Sequence, residues 1–193
     1  MGIKSEITEM MCVLNDTALG FTDQQFMQAQ RLITLHDRII ICSMGKPAFA
    51  CAKAVYTARS FGLDWHELDA THAFHGDAGI VKQGDLIIIV SKSGETNESV
   101  DVALRFQEWD TLSITSEENC RLNNICKYNL IIPIEKECSP FGYAPMASTT
   151  IYMIVLHAML SYAVEAQGCS FEDYAKNHTS GQIGRAIFKE NKK

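Results

Sequence analysis

The stretch DLIIIVSKSGETNESV, Asp85 to Val100, changes character at its midpoint. Leu86 to Val90 is an unbroken apolar run, which reads as a strand buried on both faces, as in a parallel sheet covered by helices. Ser91, Lys92, Ser93, Gly94, Glu95 and Thr96 follow at once, and a helical pattern opens behind them. DRIIICSMG (37–45) repeats the plan of an apolar run closed by glycine. TLSITS (111–116) and YNLIIPI (128–134) are further strand candidates, and LDWHELDA (63–70) is a weaker, partly polar one. Helical patterns lie between them. Residues 48–60 are rich in Ala, and 96–107 carry Val100, Ala103 and Leu104 on one face. Residues 147–167 form a long apolar helix that ends before Gly168, the residue expected after a helix C-cap. Residues 4–16 and 23–35 read as two leading helices, the second opened by a Thr22 cap. Strand and helix alternating over short links give an α/β, doubly wound, flavodoxin-like fold. Its five-stranded parallel sheet is flanked by helices. Residues 1–36 are expected to pack as leading helices on the body of residues 37–193, within one structural domain.

The composition is that of an ordinary globular protein: 193 residues, 47% hydrophobic and 21% charged. A net charge of −6 with no basic block argues against a nucleic-acid partner. The long apolar helix includes Ser148, His157 and Glu165 and reads as a core helix, so no membrane partner is expected. The first residues, MGIKSEITEMM, suit neither a signal peptide nor a myristoylation site. Seven cysteines without a C-x-x-C pair disfavour structural zinc and a disulfide framework. Most of them are expected to be small core residues in a reducing compartment, the cytoplasm.

In such a sheet, ligands bind outside the carboxyl ends of the strands. Ser91–Thr96 is such an end. A helix N-terminus offers free N–H groups and partial positive charge. Ser91, Ser93 and Thr96 add hydroxyls, and Gly94 lets a ligand approach the backbone. The set suits a phosphate dianion without a metal or cofactor. The plainer reading is a hydroxyl-capped helix after a buried strand. SMGKPAFACAKA (43–54) is a second strand-to-helix turn, with Gly45 and Lys46, but it lacks both the ATP-binding G-x-x-x-x-G-K-[ST] and the dinucleotide-binding G-x-G-x-x-G patterns.

Five ordered blocks then coincide with a known pattern: SMGKP (43–47), HGDAG (75–79), SKSGET (91–96), KECSPFGYAPMASTT (136–150) and NHTSGQIGR (177–185). The chain resembles the SIS family of sugar-phosphate isomerases and sugar-phosphate-binding domains over about residues 38 to 188. The likeness is strongest to the D-arabinose 5-phosphate isomerases of the Kdo pathway. That resemblance implies catalysis at Lys46, Glu95, Glu137 and His178. It implies a phosphate loop at Ser91, Ser93, Gly94 and Thr96, and sugar-phosphate contacts near Ser43, Gly45, His75, Ser148 and Thr149, with Asp77 on the same turn as His75. It also implies a metal-independent homotetramer in which His178 completes a neighbour's site. The chemistry asks for the same residue types. Moving a proton between C1 and C2 through an enediol needs an acid/base group tuned toward neutrality, and Lys46 suits the developing enediolate charge. Glu95, Glu137 and His178 remain open as the carbon base.

The chain departs from the family pattern. Pro47 stands for Ser, Lys92 for Asn, Asp69 and His72 for a His and a Glu, and HTSG for H-P-G-G. The exact sugar is therefore open. Paired CBS domains are not expected here, nor room for a DNA-binding domain. Plain alternatives exist for single residues: Lys46 as a solvated loop lysine, Glu137 as a surface charge with Glu135 as competitor, and His157 as a paired core histidine. A metal site at His72, His75 and Asp77 is the weaker reading of that segment. The rival functions are another phosphosugar isomerase, of the phosphoheptose or hexulose phosphate type, and a non-catalytic sugar-phosphate-binding domain.

Overall fold

The centre of the sheet is its most apolar part. The strands are β1 (Arg38–Ser43), β2 (Asp64–Asp69), β3 (Leu86–Val90), β4 (Asp110–Thr115) and β5 (Tyr128–Ile131). They run parallel in the order β2-β1-β3-β4-β5. The computed structural model describes residues 2–190. Side chains alternate across β1 and β3, so each strand feeds two cores. Ile39, Ile41, Leu86 and Ile88 pack on one side under the helices α1 (Ile3–Leu19), α2 (Asp23–Leu35), α3 (Lys46–Ser60) and α6 (Ala147–Ala166). Ile40, Cys42, Ile87 and Ile89 pack on the other, under α4 (Asn97–Arg105) and α5 (Arg121–Ile125). Two short helices, α7 (Phe171–Lys176) and α8 (Gly181–Glu190), end the described chain.

From β1 the chain first moves outward to β2, then returns across β1 to β3 on the other side. The direction of winding reverses there, so the loops leaving β1 and β3 diverge and open a crevice at their carboxyl ends. SMGKP and SKSGET are those two loops.

Local chemistry explains where the elements begin and end. Thr22 accepts a hydrogen bond from the Gln25 N–H and caps α2 as expected. α3 starts at Lys46, two residues before the expected start, because Pro47 sits in its first turn, where a missing N–H removes no helical bond. β5 stops at Ile131, three residues short of expectation, just before the ladder would reach Pro133. Helix α6 is long and apolar enough to cross a membrane, yet half of that stretch is buried within the fold, with Ile151, Tyr152, Val155 and Leu156 in the core. His157 corrects one expectation. Its Nε2 is buried without a hydrogen-bond partner, and burial together with the charge of Lys53 pushes its pKa down. It is a half-buried histidine whose Nε2 is left unpaired.

One buried charge ties the start of β1 to the start of β3. Arg38 bonds to Asp85, reaches the Ile80 carbonyl at 2.9 Å, and lies 3.3 Å from Asp64. Asp85 is buried and also accepts the Lys82 N–H at 2.7 Å. Asp85→Ala would leave the Arg38 guanidinium only the exposed Asp64 carboxylate and the Ile80 carbonyl as partners. It is expected to cost about 1.5–3 kcal/mol, measured as a lowered urea midpoint at unchanged slope. An unchanged midpoint would mean that this pair does not hold the two central strands.

Candidate active site

The loop after β3 is held from both sides. The Ser91 N–H donates to Ile114 O at 3.0 Å, and Lys92 O accepts the Ser116 N–H at 2.9 Å, so the loop continues the sheet onto β4. Gly94 turns with φ +64°, and its carbonyl accepts the Leu122 N–H at 3.0 Å. A Cβ there would lie 2.2 Å from Cys120 Sγ, so only glycine fits. Ser93 Oγ accepts the Glu95 N–H at 3.2 Å, and the Ser91 and Thr96 hydroxyls lie 3.3 Å apart. Thr96 is the N-cap of α4 but places no side-chain bond on that helix, leaving the first-turn N–H groups facing the loop.

Opposite this loop, the segment after β5 delivers Glu137. Its carboxylate is only 1% exposed and is engaged on both oxygens. Oε1 accepts from Lys92 Nζ at 2.8 Å, and Oε2 accepts the Met146 and Ser148 N–H groups at 2.8 and 3.1 Å. Glu137 thus caps the N-terminus of α6. Burial opposes its ionisation, but the Lys92 bond and the Ser148 N–H outweigh it and hold the carboxyl below its usual range. The alternative of a surface charge is excluded.

Ser91, Lys92, Ser93, Thr96, Ser99 and Glu137 line one pocket of about 280 Å³, closed on its rim by Met44, Pro47, Tyr143 and Pro145. Ser43, Gly45 and Lys46 line a larger neighbouring cleft of about 840 Å³, together with Asp69, His72 and Asp77. The Ser43 hydroxyl is buried and donates to Val90 O at 2.9 Å, stitching β1 to β3. Glu95 turns away from the pocket, and its Oε1 accepts the Arg121 N–H at 2.9 Å at the start of α5. His75 is exposed in a 3-10 turn after β2. Ser148 lends Glu137 its backbone, while its own buried hydroxyl has no partner; Thr149 Oγ1 donates to Pro145 O. Among the described residues, no three His, Cys, Asp or Glu side chains converge as metal ligands.

His178 stands apart. It stacks on Tyr174 with 4.0 Å between ring centroids, Tyr174 packs on Phe61, and Asn177 donates to Ser60 O. These contacts put it at the last turn of α3, whereas Lys46 begins that helix. Fifteen residues of helix at about 1.5 Å each separate the two by roughly 20 Å. Sequence reasoning did not single out Ser99 or Tyr143. Ser99 was findable, since it is the third residue of a helix that opens on the loop.

Two outcomes follow from this geometry. Gly94→Ala forces a side chain into Cys120 at a left-handed backbone angle; a loss of about 1–3 kcal/mol is expected in urea unfolding. No loss would mean the loop is not pinned by α5. Glu137 has a lowered folded pKa, so its contribution is present above the ordinary value of 4.5 and is lost as pH falls through the lower folded value. Glu137→Gln should therefore be less stable than the parent at pH 7 by about 1–3 kcal/mol, and the gap should narrow below about pH 4.5. A gap independent of pH would contradict the assigned charge.

A SIS-domain family profile matches residues 32–162. The arabinose 5-phosphate isomerase KdsD of Yersinia pestis is 26% identical over 170 residues, which cover 86% of this chain and 52% of that one. The chain spans about half the length of the curated relatives it matches. Among solved structures, a ligand complex of E. coli CFT073 c3406 superposes with a TM-score of 0.85 at 23% identity, covering 91% of this chain and 95% of that chain. The Vibrio vulnificus NanR protein complexed with ManNAc-6P superposes with a TM-score of 0.73 at 16% identity, covering 96% of this chain and 68% of that chain. At those identities the structural likenesses speak for the fold alone. The sheet order, the two crevice loops and a profile match over well over half its length agree: this chain belongs to the SIS-domain family.

Proposed function

We propose that this chain is an aldose–ketose isomerase that interconverts D-ribulose 5-phosphate and D-arabinose 5-phosphate through an enediol. The observation that carries the reading is one pocket in which three hydroxyls at a helix N-terminus face a buried, ionised carboxylate. Relatives bearing the arabinose 5-phosphate isomerase name over most of this chain support the same substrate class. The phosphate is held by Ser91, Ser93 and Thr96 and by N–H groups of the loop and of the first turn of α4. One group then takes the carbon-bound proton and another returns it to the neighbouring carbon, while the oxygens exchange theirs. Atoms balance without an external oxidant.

Glu137 starts ionised and so can accept a proton. Glu95 is exposed beside the loop, and exchanging protons with the sugar oxygens requires it to release the Arg121 N–H that it holds. Lys46, on the adjoining cleft, supplies positive charge to the enediolate. His178 acts from a neighbouring subunit in a homotetramer, because within its own chain it lies a helix length away. Ile154, Met27 and Leu35 leave apolar surface on α6 and α2 for such an assembly. The reaction needs no metal.

A second reading, binding without turnover, is favoured by one observation: both oxygens of Glu137 are already engaged. Assaying the purified protein with pentose, hexose and heptose phosphates in the presence of EDTA separates the two. Conversion of D-ribulose 5-phosphate is expected, with Glu95→Gln, Glu137→Gln and His178→Asn each lowering kcat about a hundredfold or more. Tight binding with no conversion would establish the sensor instead. Mixing Glu95→Gln with His178→Asn under subunit exchange should restore activity; no recovery despite demonstrated exchange would mean that each site is built by one chain.

A further inference from the structure

The pocket of the Ser91–Thr96 loop has an uneven charge. Of the side chains that line it, Lys92 is the one cation and Glu137 the one carboxylate, and they bond to each other at 2.8 Å. A phosphate dianion entering here would meet Glu137 at close range. The groups that hold the dianion in the proposed function, hydroxyls and amides, carry no formal charge to offset that repulsion.

We propose that Lys92 serves two anions in turn: it pairs with Glu137 and is taken over by the phosphate of a bound ligand, so that phosphate binding raises the proton affinity of Glu137. This rests on the reading of the loop as a phosphate site.

Three features make the exchange feasible. The backbone around Lys92 is fixed by the Ser91–Ile114 and Ser116–Lys92 bonds, so the movable part is its four-carbon stem, and that side chain is 36% exposed. Glu137 does not depend on Lys92 for its place, because the Met146 and Ser148 N–H groups hold its other oxygen. The pocket also contains a polar group that the chain leaves unsatisfied. Ser99 lines it, is 1% exposed, and its Oγ has no hydrogen-bond partner. A buried hydroxyl without a partner is costly, and a ligand oxygen satisfies it.

Losing the ammonium and gaining a nearby dianion both favour the protonated form of Glu137. The other titratable groups that face it do not compensate. Tyr152 on α6 is buried and bonds Ser116, Cys138 is its chain neighbour, and burial pushes both groups' pKa values up, away from ionisation. Tyr143 on the pocket rim is exposed. A carboxylate that gains proton affinity only when the phosphate is in place is a base tuned at the moment it is needed.

The test uses inorganic phosphate and D-arabinose 5-phosphate as probes, with binding measured by calorimetry and the Glu137 carboxyl followed by 13C NMR across pH. In the wild type, saturating phosphate should raise the Glu137 midpoint by about one pH unit. Lys92→Met should weaken binding of both probes about tenfold or more, with a Glu137 midpoint already raised and moved less by bound phosphate than in the wild type. Lys92→Arg should keep most of the affinity. Because Lys92→Met leaves Glu137 unpaired, the Lys92→Met/Glu137→Gln double variant serves as a second background. It should still bind more weakly than Glu137→Gln alone. A wild type that binds the probes with an unmoved midpoint, or a Lys92→Met that binds them as well as wild type, overturns this inference and leaves the proposed function standing. A wild type that binds neither probe overturns both.

Discussion

The carboxylate of Glu137 joins three parts of the molecule, one of them 45 residues away in sequence. It stands on the segment after β5, accepts two N–H groups from the start of α6, and binds Lys92 on the loop after β3. The α6 N-terminus needs an acceptor, since Met146 places no side-chain cap there. A buried carboxylate needs donors or it would not be ionised. Each requirement is met by the other. The core helix, the last strand's exit and the crevice loop are therefore tied together at one wall of the pocket.

The opposite wall obeys a steric rule. Gly94 is in contact with Cys120, and its carbonyl is bound by α5, while Glu95 reaches the first N–H of the same helix. The hydroxyls of Ser91, Ser93 and Thr96 are thus carried on a backbone tied to β4 and α5 at several points. Preorganisation of this kind matters for an anion site, because N–H groups and hydroxyls that already point inward need no reordering when a ligand arrives.

The fold was legible because its strongest signals are unbroken apolar strands, and a parallel sheet requires them. All five strands and the long helices lie where the pattern placed them; Pro47 and Pro133 account for two of the shifted ends, while α1 runs three residues further than expected, to Leu19, and α4 stops two residues sooner, at Arg105. The helix α5 has five residues, α7 has six, and the turns after β2 are shorter still, too short for a helical period to stand out. Of the candidate residues, Ser91, Ser93, Thr96 and Glu137 gather in one pocket, while Lys46, Ser43 and Gly45 fall on the next. What sequence could not convey is which side chains were already occupied. Ser43 spends its hydroxyl on Val90, Glu95 its carboxylate on Arg121, and His157 leaves its buried Nε2 without a partner. Such bonds depend on neighbours brought close by the sheet order rather than by spacing along the chain.

The distance between His178 and the crevice follows from the same architecture. In a parallel α/β sheet each helix runs back from the ligand end to the opposite end. Tyr174 and His178 are anchored where α3 finishes, by the stack on Phe61 and the bond from Asn177 to Ser60. No rotamer of His178 spans about 20 Å of helix. If this histidine takes part in chemistry at a crevice, the crevice belongs to another copy of the chain, and α7 and α8 act there as an arm presented to that copy. The apolar side chains left on the outer faces of α1, α2 and α6, including Met11, Met27, Leu35 and Ile154, are the surface such an arrangement would cover. Chemistry and assembly would then be one property: a chain separated from its neighbours would hold its hydroxyl-lined pocket and lack the histidine that a second copy presents to it.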